Sequence, residues 1–146
     1  MTEFRSFRVS AVVLRHKDWG EADQLLTIYA RELGKVRAVA KGVRRTKSKF
    51  GARLEPTSHV ALQLHIGRDL DIVTQAETAD RFGSIRVDLE RFARASAMLE
   101  AVDQLASERE ENPRLFDMLL GALRTLDERD PPLVSAGFFL KALALE

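Results

Sequence analysis

Eight lysines and arginines fall between residues 35 and 53, in KVRAVAKGVRRTKSKFGAR, with no Asp or Glu among them. The whole chain carries 23 Lys and Arg against 22 Asp and Glu, so a nearly neutral protein concentrates a third of its positive charge there. A one-signed cluster binds anions, and phosphate backbones above all, because each neutralised phosphate releases condensed counterions. Unpaired bases would also need aromatic faces to stack on. Trp19 and Tyr29 are the single Trp and Tyr of the chain, and Phe50 lies inside the basic stretch. Trp19 precedes a loop glycine, Phe50 either stacks or anchors the loop to a core, and Tyr29 faces either solvent or a groove.

Other chemistry is thinly represented. His59 and His65 share one strand face but stand six residues apart, about 20 Å, too far to chelate one metal. With His16 they read as surface residues. The chain has no cysteine, which removes disulfides, thiolate zinc sites and thiol nucleophiles. AKGVRRTKSKFG lacks the Walker A spacing. Thr46 and Ser48 have no placed His–Asp partners. Glu21 and Asp23 read as a solvated or capping pair, and Glu108–Glu111 as a solvated helix end. Neither a metal, a cofactor nor an enzyme is expected.

The elements that would hold the basic stretch follow from period. An apolar content of 45% suits a globular protein, and no apolar run approaches the roughly 20 residues that span a bilayer. The N-terminus has no signal-peptide pattern, so a cytoplasmic protein is expected. Through residue 80 the apolar positions alternate, predicting five strands. Val9, Ala11 and Val13 share a face with Phe7. Leu26, Ile28 and Ala30 point inward on the second strand, and Val36, Ala38 and Ala40 on the third. There Arg37 and Lys41 share the outward face. Val60, Leu62, Leu64 and Ile66 alternate on the fourth strand, and LDIVTQAE is the fifth. The period then lengthens. Asp88 caps a helix with the stripe Leu89, Phe92, Ser96, Leu99, Val102 and Ala106. Asn112 and Pro113 open a second helix, striped by Leu115, Phe116, Leu119, Leu120, Leu123 and Leu126. The last, LVSAGFFLKALALE, is apolar on nearly all sides and is expected to be buried. Its abrupt end suggests a piece of a longer protein.

Five short strands and then helices predict an α+β protein: an OB-fold β-barrel over residues 1–80 and an all-helical domain, apparently truncated, over 81–146. An SH3-like barrel is the structural alternative. Residues 1–80 carry a net +4 and residues 81–146 a net −3, so the two parts should face different partners.

The stretch GEADQLLTIYARELGKVRAVAKGVRRTKSKFGARLEP resembles the N-terminal region of the bacterial RecO family of DNA repair and recombination mediators. AKGVRR and KSKF are its specific part, and the similarity extends along the whole chain. The resemblance implies binding to single- and double-stranded DNA and annealing of complementary strands. It also implies partnership with RecR and the single-strand-binding protein, indirectly serving RecA loading at the nucleoid. The DNA-contact residues it implies are Arg37, Lys41, Arg44, Arg45, Lys47, Lys49 and Arg53. Family members usually run longer, and many carry a cysteine zinc motif that this sequence does not contain. Away from the resemblance, an RNA-binding OB module and an interaction scaffold docking an acidic tail stay open as alternatives.

Overall fold

A computed structural model describes residues 5–45, 50, 53–129 and 134–145. Its strands are β1 (Ser6–Trp19), β2 (Asp23–Ala30), β3 (Gly34–Ala40), β4 (His59–His65) and β5 (Asp71–Asp80). They close into a barrel in the order β1-β2-β3-β5-β4. All neighbours are antiparallel except β3 and β5, which meet in parallel through Ala38–Asp71 and Val39–Ile72. That closure, with β1 pairing both β2 and β4, is the OB-fold arrangement, and it sets aside the SH3-like alternative.

The barrel interior is made by the alternating positions. Val9, Ala11, Val13, Leu26, Ile28, Val36, Ala38, Ala40, Val60, Leu62, Leu64 and Val73 form one core. Phe50 and Leu54 join it from the loop between β3 and β4. Phe7, expected with the inward set, is 47% exposed. β1 also runs further than expected. It continues through Trp19, so the loop expected at Gly20 is only a turn, Gly20–Ala22, where Gly20 adopts a left-handed φ of 61°. A bulge between Val13 and Arg15 follows the part of β1 that pairs with β4 and precedes the part, Arg15–Trp19, that pairs with β2 alone, and such bulges bend the strand that carries them.

Four helices follow: α1 (Gly83–Val87), α2 (Leu89–Leu105), α3 (Pro113–Arg129) and α4 (Val134–Ala144). Both predicted caps are present. The Asp88 side chain accepts from the backbone N–H groups of Glu90 and Arg91. The Leu115 N–H donates to Asn112 Oδ1 at 3.1 Å. In α3 the six apolar residues of the stripe are all buried. The stripe predicted for α2 is rotated in the fold. Leu89 is 83% exposed and Phe92 37%, while Ala95, Met98, Leu99 and Val102 face inward. α4 buries Phe138 and Ala142 but leaves Leu143 61% exposed, so it is not covered on every side.

The helical core does not close on itself. Val12 and Leu14 from the outer face of β1, and Tyr29 from β2, pack into it beside Phe116, Leu119 and Met98. Tyr29 and Phe116 stand 6.3 Å apart, ring to ring. The outer faces of β1 and β2 therefore form the seat of the helices. His59, read as a surface residue, also lies at this junction. Its Nε2 is 2.8 Å from Ser10 Oγ, and its ring meets Phe116 edge-on at 6.1 Å.

Candidate nucleic-acid interface

The register of β1, β2 and β3 lays the relevant side chains out in rows. Arg15 pairs with Thr27, which pairs with Arg37; Lys17 pairs with Leu25, which pairs with Val39. The next row of the same parity holds Trp19 and Asp23, with Lys41 one step past β3. These residues share the outer face of the sheet, since strand neighbours two apart point the same way.

At its helical end this face is already neutralised. Lys35 Nζ donates to the Asp103 main-chain carbonyl at 2.7 Å and to its carboxylate at 3.2 Å. Arg15 Nε reaches the same carboxylate at 2.6 Å. Burial pushes the Asp103 carboxyl up, but the hydrogen bonds and charges of Arg15 and Lys35 outweigh it and hold the group below its usual range. Arg37 pairs with Glu108 at 3.1 Å. The expected solvated end at Glu108–Glu111 is thus corrected. Lys35 bridges to Glu108 as a short parallel extension of the sheet, and the Arg109 N–H donates to the Lys35 carbonyl at 2.9 Å. Gly34 explains the close fit: a Cβ there would lie 2.2 Å from the Glu110 carbonyl oxygen. Below this contact, Arg109 reaches Asp71, whose side chain is wholly buried, at 2.6 Å.

At the other end the face is open. The segment after β3 folds back on the β1–β2 turn. The Gly42 N–H donates to Asp23 Oδ1 at 2.7 Å, and the Arg44 N–H to the Ala22 carbonyl at 3.0 Å. The Arg44 guanidinium donates to Asp18 Oδ2, the Gly20 carbonyl and the Asp23 carbonyl at 3.1, 2.7 and 3.2 Å. Arg44 therefore holds the two turns together. Asp23, expected as a solvated or capping carboxylate, serves as the latch. Lys41 and Arg45 are exposed on this platform and make no ion pair among the described residues. Arg53 is exposed past the loop, with its N–H on the Phe50 carbonyl at 3.1 Å. Lys47 and Lys49 lie outside the described residues.

The three aromatic candidates separate cleanly. Tyr29 and Phe50 are buried, at 1% and 2% exposure, and Phe50 anchors the loop to the barrel core. Trp19 is 41% exposed, with Lys17 Nζ 5.7 Å from its ring centroid.

Residues 1–82 match the family model described as recombination protein O N terminal, and residues 86–145 the one described as recombination protein O C terminal. The chain belongs to the RecO family. Among the relatives of this RecO chain, proteins named DNA repair protein RecO from Frankia casuarinae, Thermobifida fusca and a Nocardioides species are 51%, 48% and 47% identical. Each alignment covers 95% of this chain and 59% of the relative, so the RecO chain spans somewhat under two thirds of the length of these curated relatives.

Proposed function

We propose that this chain is the DNA-binding part of a recombination mediator. It binds single- and double-stranded DNA, anneals complementary strands, and works with RecR on DNA coated by the single-strand-binding protein so that RecA can load. The barrel, residues 1–80, is the nucleic-acid-binding unit, and residues 81–146 are the helical unit that braces it. The role is binding in the cytoplasm, at the nucleoid, without covalent chemistry. The observation that carries the reading is the open end of the β1–β2–β3 face. There Lys41 and Arg45 stand exposed without carboxylate partners among the described residues, on a backbone platform fastened by Arg44 and Asp23. A fixed set of unpaired cations attracts a polyanion at little ordering cost, and screens two strands from one another once both are bound.

Fluorescence anisotropy of labelled single strands over a salt series tests this. About five phosphate contacts give a slope of log K against log salt of about −3.5, and Lys41→Glu with Arg45→Glu should flatten it by about 1.4. Arg44→Glu should act differently, loosening the turn as well as binding. A salt-independent affinity, or one unmoved by the Lys41 and Arg45 reversals, would sink the proposal. Preference for an RNA strand of equal length would turn it toward a reader of the 2′-hydroxyl.

A further inference from the structure

We infer that Trp19 is a stacking platform for an unpaired DNA base, making this end of the barrel selective for single strands; the inference rests on the DNA-binding reading above. One exposed aromatic is ordinary on a protein surface. Three features set Trp19 apart. It belongs to a strand rather than a loop: Lys17–Leu25, Asp18–Gln24 and Trp19–Asp23 are consecutive ladder pairs, so the indole stands on a paired backbone. It shares the outer face of the sheet with Lys17, and with Lys41 across the Asp23 row, so a base on the indole would leave its phosphates beside cations. Two carboxylates of the turn are also committed elsewhere, Asp18 to Arg44 at 3.1 Å and Asp23 to the Gly42 N–H at 2.7 Å, which leaves Glu21 as the acid there without a partner among the described residues.

The physical division of labour follows. Cations hold phosphates of any nucleic acid, paired or not. An indole gains only from a base whose face is free, and every base has one, so stacking selects single strands without selecting sequence. Lys17 lies over the ring at 5.7 Å, a cation–π distance that orients the indole before DNA arrives.

Trp19 is the single tryptophan of the chain, so its emission reports this site alone. Titration with a dT oligonucleotide of about 16 nucleotides, the upper site size of one OB-fold, should quench it. A blunt duplex of equal length should bind with little quenching. With labelled oligonucleotides, Trp19→Ala should weaken dT binding roughly 5- to 150-fold and leave duplex binding unchanged, and Trp19→Phe should restore part of the loss. If dT binds with unchanged emission, or Trp19→Ala binds dT as tightly as the parent, the stacking role is overturned and the DNA-binding reading survives. If the unsubstituted protein binds neither dT nor duplex, both fall together.

Discussion

A single side chain can have two fates in this molecule, and burial decides between them. Arg37 and Lys41 were expected to act as a pair on one strand face. β3 ends at Ala40, so Lys41 stands one step past the strand; Glu108 neutralises Arg37, while Lys41 is exposed with no ion pair among the described residues. Arg109, whose sequence context suggests a solvated residue, instead supplies the counterion of a carboxylate with no exposure to water. Asp71 Oδ1 accepts from Arg109 at 2.6 Å and from the Gly67 N–H at 3.2 Å, and its Oδ2 has no hydrogen-bond partner among the described residues. A carboxylate this buried cannot lose its cation cheaply. Arg109→Ala should cost about 2–4 kcal/mol in urea unfolding, the lower end reflecting Arg109's own partial exposure. Adding Asp71→Asn should recover part of the loss, because a neutral amide is easier to desolvate. Equal stability of the parent and Arg109→Ala would show that the pair is idle.

At the scale of elements, the segment from Ser107 to Glu110 behaves as a sixth, very short edge. It joins β3 through the Lys35–Glu108 bridge and the Arg109 N–H, where periodicity had suggested only a polar helix end. Gly34 permits this approach twice over, by a left-handed φ of 75° and by its missing Cβ. Gly34→Ala should therefore cost at least about 2 kcal/mol, combining left-handed strain with a backbone clash. Hydrogen exchange should rise at residues 107–110, and Arg37 should lose Glu108. Unchanged protection there would mean that the segment docks without needing Gly34. The helices divide by how one-sided they are. α3 has a single apolar face, and its five buried leucines and one buried phenylalanine were legible from spacing alone. α2 offers apolar residues on more than one side, so packing against β1, and not its own period, chose Ala95, Met98, Leu99 and Val102 over Leu89 and Phe92.

Across the whole molecule, barrel and helices share a core, and a titratable group sits in the joint. Burial, then the charge of Arg124, lowers the pKa of His59, against a smaller opposing pull from Asp80. Its Nδ1 is buried without a hydrogen-bond partner among the described residues, and Nε2 faces Ser10. The folded state thus prefers neutral His59, and the unfolded chain takes up the proton first as pH falls. Above the ordinary value of 6.5 both states are neutral and the residue is indifferent. Below it, stability should fall until the lowered folded-state pKa is passed, by no more than about 1.4 kcal/mol per pH unit, and by less where residual hydration screens the charge. Thermal unfolding between pH 7.5 and 5, with ~0.5-unit steps across this histidine window, should show that decline shrinking in His59→Gln. Identical pH profiles would remove His59 from the account.

The sequence by itself determined the five alternating strands, the barrel, the α3 face, both helix caps and the concentration of positive charge between residues 35 and 53. Each of these follows from local period, capping chemistry or charge count. Only the tertiary structure decided which cations remain available. Val12, Leu14 and Tyr29 lie on the outer face of the sheet, and nothing local says whether water or a helix covers it. Once α2 and α3 dock there, Asp103 and Glu108 neutralise Lys35, Arg15 and Arg37, and the open charge moves to the far end beside Trp19. Charge is a property of residues, but free charge is a property of the fold, because a counterion distant in sequence can cancel it at 3 Å.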